Sequence, residues 1–169
     1  SAGLCLGGGA EVLMHCDAVQ AHSESYVGLV EVGVGIIPAW GGCKEYLGRV
    51  KEFGLVSNGP MGAVMKAFEV IGTAQVAKSA DQARTMGFLG PNDRITMNRD
   101  RLLSDAKKTL IELSKDYSPP EPRTYSLPGP SGKAALELAV NDLALSGKVT
   151  PHDICLLYTS PSPRDHQPS

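Results

Sequence analysis

Three consecutive glycines, Gly7 to Gly9, constrain what this chain can fold into more than any other feature of its sequence. Glycine allows positive φ and a close approach of the backbone to a ligand, so the run favours a tight turn that opens a helix. The first N–H groups of a helix are unpaired and lie at the positive end of its dipole. The run therefore predicts a site for an anion, or for an oxygen that gains negative charge in a reaction, with a plain structural turn as the alternative.

Two glutamates accompany this run, Glu11 directly after it and Glu31 in a glycine-rich segment further along. The dipole at the helix start favours the ionised form of Glu11, which suits a general base. Aliphatic neighbours such as Val30 and Val32 should desolvate Glu31 and raise its pKa, which suits a general acid. The structural alternatives are a stabilising first-turn residue for Glu11 and a solvent-facing strand position for Glu31. The combined pattern GGG-x-E, Glu31 and GxGxxPxxGG is more specific than either half and favours an acid–base pair holding one water.

The composition argues against several classes of partner. The net charge of −2, with no basic stripe, argues against nucleic acid. No apolar run approaches the length of a membrane span. The four cysteines include no CxxC pair, so reduced thiols in a cytoplasmic protein are expected rather than disulfides or a metal site. A GxGxxG dinucleotide frame fails at Val12 and at Pro38, and GxxxxGK[ST] is missing, so no cofactor is expected in this chain.

The 169 residues, 42% of them hydrophobic, are enough for one domain with a core. Strands are predicted early and helices mostly later, which indicates an α/β fold of the α+β type. Residues 1–90 carry the glycine-rich motifs, and residues 91–154 form a helical region with a proline-rich connector or surface loop at 117–130. The predicted strands cover 18–22, 26–30 and 94–97, and the predicted helices cover 8–16, 42–50, 60–72, 79–87, 99–116 and 131–147.

Helical spacing also predicts which side chains face the core. Ser79 and Ser131 are predicted N-caps, whereas Lys44, Glu45 and Arg49 are predicted to form a solvated helix face. The predicted core-facing residues are, helix by helix, Val12, Leu13 and Cys16; Met61, Val64, Met65, Phe68 and Ile71; Leu103, Ala106, Leu110 and Leu113; and Leu136, Val140 and Leu143.

The two ends of the chain differ from the rest. The start, SAGLCLGGG, has no initiator methionine and is expected to lie inside a domain. Residues 155–165, CLLYTSPSPRD, resemble the conceptual translation of a transposase-type sequencing-library adapter, so residues 155–169 are expected to be a non-native read-through tail. A natural Pro/Ser-rich tail is the alternative. If the tail is foreign, Cys155, Tyr158 and His166 carry no chemistry.

The motifs LCLGGGAEVLMHCD (4–17) and GLVEVGVGIIPAWGG (28–42) resemble the signature of the crotonase, or enoyl-CoA hydratase/isomerase, superfamily. SADQARTMGFLG (79–90) resembles the later helix of this family, and the resemblance covers residues 2–90 closely. Beyond them, LPGPSGKAALELAV (127–140) resembles the hydratase portion of fused 3-hydroxyacyl-CoA dehydrogenase/hydratase proteins of fatty-acid β-oxidation. The resemblance implies the C-terminal part of a ββα spiral, truncated at its N-terminus and followed by a helical region.

The resemblance also implies roles for individual residues. The backbone N–H of Gly8 matches an oxyanion-hole donor, and Glu11 and Glu31 match the two glutamates that hold and activate water. The implied reaction is the syn addition of water to a 2-trans-enoyl-CoA. Acyl-CoA is then the substrate, and its implied binding residues are Gly7, Gly9, Pro38 and Trp40.

Departures from the family pattern leave alternatives open. The usual loop P-G-x-G-G-T is here Pro38-Ala-Trp-Gly-Gly-Cys43, in which a lone Trp40 is expected to pack rather than to wall an acyl pocket. The family's N-terminal half, with the other oxyanion donor and much of the CoA surface, is missing, so the isolated chain is expected to be inactive. The alternatives are an enoyl-CoA isomerase, an acyl-CoA thioester hydrolase, or an inactive assembly piece. Homo-oligomers or a fused dehydrogenase domain are the expected partners, and NAD is expected only with such a domain.

Overall fold

A computed structural model describes residues 1–57 and 59–159. Four short strands are interspersed with helices up to residue 101, and only helices follow among the described residues. The elements are β1 (Leu4–Leu6), α1 (Gly8–Met14), β2 (Gln20–His22), β3 (Tyr26–Gly28), α2 (Gly42–Glu52), α3 (Pro60–Gly72), α4 (Ala80–Met86), β4 (Arg94–Thr96), α5 (Leu102–Leu113), α6 (Pro130–Leu145) and α7 (Pro151–Thr159), with short 3₁₀ turns at Val32–Val34 and Arg99–Arg101.

The strands form two separate parallel pairs. β1 pairs with β3, with Leu4 opposite Tyr26, and β2 pairs with β4, with Gln20 opposite Arg94. The β2–β4 pair joins residues on either side of position 90, and the division of domains there stays a prediction. Because parallel strands end at the same edge, the segments that follow β1 and β3 leave their sheet side by side. One of these segments begins with the glycine run and the other leads to Glu31.

The core lies between these strand pairs and the helices α1 to α4. α2 packs on both α1 and α3, and the ring of Tyr46 lies 5.0 Å from that of Phe88. The face that α3 buries is displaced from the predicted one and carries Ala63, Ala67 and Val70 beside Ile71. The buried core residues include Ala10, Leu13, Met14, Val27, Leu29, Tyr46, Val50, Ala63, Ala67, Val70, Ile71, Ala83, Phe88 and Leu89.

The predicted solvated face of α2 is wrong in a way that matters for the fold. Glu45 and Arg49 are buried rather than solvated, and Arg49 is only 5% exposed. Arg49 donates to the carbonyl oxygen of Met14 at 2.5 Å and to that of Phe88 at 3.2 Å, and its Nε lies 3.3 Å from Glu45 Oε1. The guanidinium thus joins the end of α1, the helix α2 and the segment after α4.

The connector 117–130 lies against α2. Arg123 pairs with Glu45 and, at 2.8 Å, with Glu52. A Cβ at Gly48 would lie only 3.2 Å from Tyr125, so the connector approaches the helix where a side chain is missing. Glu45 therefore lies between two arginines, one from its own helix and one from the connector.

The predicted apolar stripe of α5 does not enter the core. Leu103 is 82% exposed and Leu110 is 66% exposed, while Thr109 is the buried residue of this helix. α5 packs on β2 through its polar side, where Thr109 donates to Gln20 Oε1 at 3.1 Å. The helical spacing of the apolar residues correctly indicated a stripe along α5. It did not indicate which side of α5 packs against the other described residues.

Helix ends follow local chemistry in most cases. Ser79 caps α4 by accepting from Gln82 N, and Gly87 ends that helix with a φ of 90°, as predicted. The predicted cap at Ser131 is wrong, because Gly129 precedes Pro130 at the start of α6 and Ser131 Oγ donates to the Pro128 carbonyl oxygen instead. On the helix α1, Val12 and Cys16 are exposed, contrary to the predicted face.

The helix α7 was not predicted. Thr150 and Asp153 bind each other's backbone N–H groups as in a capping box, and Pro151 takes the first helical position. The helix continues to Thr159, into the segment assigned to the tail. Residues 160–169, and Asn58 before the predicted helix start at Pro60, lie outside the described residues, so the foreign origin of the tail stays a prediction.

We predict that Arg49→Leu lowers the free energy of unfolding by about 3 kcal/mol, because it removes bonds to two backbone carbonyls and one partner of a buried carboxylate. Urea denaturation of the chain measures this loss. Lys51→Leu on the exposed side of the same helix is the matched control and should change stability by less than about 0.5 kcal/mol. Equal effects of the two substitutions would contradict the role given to Arg49.

Candidate active site

The glycine run forms the turn from β1 into α1. Gly7 has a φ of 53° and donates its N–H to the Gly28 carbonyl oxygen at 2.9 Å, which ties the turn to the end of β3. No side chain caps α1. Within residues 1–57 and 59–159, the N–H groups of Gly8 and Gly9 have no hydrogen-bond acceptor, and both residues are exposed. These donors are therefore open to a ligand.

Glu11 points from α1 into the protein, where it is only 8% exposed. Its Oε1 accepts the N–H of Gly42 at 2.9 Å, so the first residue of α2 holds the carboxylate in one orientation. A Cβ at Gly42 would lie 2.7 Å from that oxygen and 2.9 Å from Leu29 Cδ2. A side chain at position 42 would displace Glu11 and Leu29, which explains one glycine of the predicted GxGxxPxxGG motif.

Glu31 is also buried, at 8% exposure, which rules out the solvent-facing alternative. It lies at the start of the 3₁₀ turn that follows β3. Its Oε1 is 3.4 Å from the position that a Cβ on Gly7 would take, and its Oε2 is buried with no hydrogen-bond partner among the described residues. Burial raises the pKa of Glu31, and the negative charge of Glu11 adds to the rise, as the sequence predicted.

Cys43 is a neighbour of both carboxylates that sequence reasoning missed. It follows Gly42 in the first turn of α2. Burial raises the pKa of its thiol to about 11, and the charges of Glu31 and Glu11 contribute to that rise. Its place directly after the Gly41-Gly42 pair is the signal that could have identified it.

The loop before α2 places its two predicted substrate-binding residues differently. Pro38 is buried, whereas Trp40 is 92% exposed and adopts a positive φ of 61°. Trp40 therefore does not pack against the described residues, and the prediction that it does is wrong. Ile36 and Ile37 in the same loop are also exposed. The loop therefore presents an apolar surface between Glu31 and the start of α2.

His15 and His22 bind backbone carbonyl oxygens rather than the two buried carboxylates. His15 Nδ1 lies 2.7 Å from the Glu11 carbonyl oxygen, and His22 Nε2 lies 3.1 Å from that of Met97. Among the described residues, no group of three His, Cys, Asp or Glu side chains could hold a metal ion. No helix there is both long and apolar enough to cross a membrane. The arrangement is suited to acid–base chemistry by two buried carboxylates beside open N–H donors.

From the raised pKa of Cys43 we predict that the protein loses stability at alkaline pH. The unfolded thiol ionises near its ordinary pKa of 9.0 and the folded one near about 11, so the folded state keeps its proton longer and stability falls as pH rises between these values. The expected loss is about 3 kcal/mol above the folded pKa. We expect Cys43→Ala to flatten this slope in urea titrations from pH 8.5 to 11, and the exposed Cys16→Ala to leave it unchanged. An unchanged slope in Cys43→Ala would refute the burial of this thiol.

Sequence comparison identifies several proteins that are similar to this chain. No family model matches the chain. A protein of Bacillus subtilis, named as a probable 3-hydroxyacyl-CoA dehydrogenase, is 42% identical over 153 residues, which are 89% of this chain and 19% of that protein. The short-chain-enoyl-CoA hydratase of Clostridium acetobutylicum is 38% identical over 87 residues, 52% of this chain and 28% of the hydratase. The chain thus spans about a fifth to a quarter of the length of these two relatives.

Solved structures agree with the predicted α/β architecture. An enoyl-CoA hydratase subunit of Geobacillus kaustophilus matches 92% of this chain and 48% of its own, with a TM-score of 0.52 at 20% identity. The enoyl-CoA hydratase of Bacillus anthracis matches 92% and 48%, with a TM-score of 0.50 at 21% identity. These likenesses confirm the predicted fold. Because of this fold, its two motifs and its relatives, we conclude that the chain belongs to the crotonase (enoyl-CoA hydratase/isomerase) superfamily.

Proposed function

We propose that this segment supplies the water-activating part of an enoyl-CoA hydratase site, which adds water to a 2-trans-enoyl-CoA to give a 3-hydroxyacyl-CoA. One observation carries the proposal: Glu31 Oε2 is buried without a partner in residues 1–57 and 59–159, in a site that also holds a second buried carboxylate. A buried oxygen without a hydrogen bond costs free energy unless a water or a ligand supplies one. A water held by both glutamates would satisfy Glu31 and be ready to react.

The two carboxylates take different roles because their surroundings differ. Glu11 is held through Oε1 by the N–H of Gly42, which leaves Oε2 to accept a proton from the attacking water. The hydroxyl forms a bond to C3 of the enoyl group, and the electrons of the double bond move toward the thioester. Glu31, whose pKa is raised, carries a proton more readily and delivers it to C2. One hydrogen of the water stays in the new hydroxyl group, and the other, taken up by Glu11, passes to Glu31 and replaces the proton that Glu31 delivered.

The open start of α1 supplies stabilisation for the charge that develops on the thioester oxygen. The N–H of Gly8 is exposed and has no acceptor among the described residues. An N–H donor of this kind, preorganised by the turn at Gly7, stabilises an enolate-like oxygen more than it stabilises the neutral carbonyl. Gly7 and Gly9 keep the approach free of side chains, and the exposed apolar loop around Trp40 would face the acyl chain.

The activity belongs to a larger protein in this proposal. The Bacillus subtilis relative, of which the match covers only 19%, is several times longer than the segment and carries the name of a probable 3-hydroxyacyl-CoA dehydrogenase. That name describes an enzyme acting on the product of hydration, so the proposed place is fatty-acid oxidation with the dehydrogenase and its NAD outside this segment. The presence of both glutamates favours a hydratase over an isomerase or a thioester hydrolase.

We predict that Glu11→Gln and Glu31→Gln, each made in the whole protein that carries this segment, lower kcat for hydration of crotonyl-CoA by roughly 10²- to 10⁴-fold, the usual contribution of a general acid or base. Loss of the enoyl-thioester absorbance measures hydration, and chromatography identifies the product. Glu24→Gln, on an exposed carboxylate between β2 and β3, is the matched control and should stay within about twofold of the unsubstituted enzyme.

The same assay separates the alternatives. Full activity of both glutamine variants would overturn the proposal. A shifted double bond without a hydroxyl group would indicate an isomerase, and release of free CoA would indicate a thioester hydrolase. Absence of any reaction in the whole protein would favour an assembly role.

A further inference from the structure

A polar groove of about 710 Å³ lies between β4 and α5, and its volume is in the range that small ligands occupy. None of its lining residues belongs to the candidate active site. Basic side chains are prominent among them, and they come from three different elements: Arg84 from α4, Arg94 from β4, and Lys108 from α5. Arg101, in the turn before α5, adds a further positive charge.

The acidic residues of the groove are largely occupied by other partners. Both carboxylate oxygens of Asp93 accept backbone N–H groups, at 2.8 and 2.6 Å. Glu112 pairs with Arg94 at 2.8 Å. Asp105 accepts the hydroxyl of Thr96 at 3.0 Å on one oxygen. These neutral donors leave the carboxylate charges in place, so the four basic and three acidic side chains of the lining give the groove a net charge of +1, and of these acids only Glu112 forms a close ion pair within the described chain.

Arg84 is the least satisfied of these cations. One of its terminal nitrogens donates to the Asp93 carbonyl oxygen at 2.5 Å, but its buried Nε–H has no acceptor in the part of the chain that the structure describes. It forms no ion pair with any carboxylate among the described residues. A guanidinium without a carboxylate partner is suited to bind an anion, because it offers planar N–H donors and an unpaired positive charge.

Arg101 and Lys108 share a single carboxylate at long range. Their nitrogens lie 3.9 and 4.0 Å from the same oxygen of Asp105, and both side chains are about two-thirds exposed, at 66% and 67%. Such exposed contacts contribute little free energy, so either side chain can turn toward a ligand at small cost. The groove can thus bring further cations to an anion held at Arg84.

We propose that this groove binds a small dianion, either a phosphate ester or a dicarboxylate, with Arg84 as the principal contact. None of the described residues that line the groove is aromatic, so the proposed ligand needs no nucleotide base. The hydroxyl and amide groups on its floor, Thr96, Thr109 and Gln20, bind one another and provide a polar surface. This inference does not depend on the proposed hydratase activity.

Calorimetric titration of the full chain with inorganic phosphate and, separately, with succinate tests this proposal. We expect saturable binding of at least one of these probes, weakened at high salt. Arg84→Gln should raise its Kd by about tenfold or more, the usual value of a charge-assisted hydrogen bond. Arg99→Gln removes a similar charge from an exposed residue outside the groove lining and should change the Kd by less than about twofold.

A second variant tests the proposal even if Arg84→Gln fails to fold. The double substitution Arg101→Gln and Lys108→Gln affects only exposed side chains and should also weaken binding severalfold. Binding of phosphate alone would identify a phosphate-ester site, and binding of succinate alone would identify a dicarboxylate site. No saturable binding of either probe, or an equal loss in Arg99→Gln, would overturn the proposal.

Discussion

The parallel pairing of β1 with β3 determines where both glutamates lie. Because the two strands end at one edge, the glycine run that follows β1 and the turn that follows β3 meet there. The bond from Gly7 N to the Gly28 carbonyl oxygen fixes this meeting, and Glu11 and Glu31 then enter the same buried region from separate segments. Glycines at positions 7 and 42 leave the space that the two carboxylates occupy.

A second, buried contact holds the first helix in the orientation that this site needs. Arg49 binds the last carbonyl of α1 and a carbonyl after α4, so it joins three segments that are distant in sequence. Arg123 of the connector shares Glu45 with it and extends the same charge network to the surface. The orientation of Glu11 therefore depends on α2 twice, once through Gly42 and once through Arg49.

Local signals in the sequence predicted the parts of this structure that depend on neighbouring residues. The glycine turn, the cap at Ser79 and the desolvation of Glu31 all follow from nearby side chains. The burial of Arg49 could not be predicted in this way, because its partners are backbone carbonyls far along the chain, which leave no periodic pattern. The stripe on α5 shows the converse limit, since Leu103 and Leu110 have core-like spacing but lie on the exposed side.

A double-variant cycle on crotonyl-CoA hydration in the whole protein tests the pairing of the glutamates most directly. If Glu11 and Glu31 act together on one water, Glu11→Gln combined with Glu31→Gln loses about as much rate as the more damaging single substitution, because the second residue has nothing left to assist. Losses that multiply across the two single substitutions would instead mean that each carboxylate acts independently. That result would contradict a shared water.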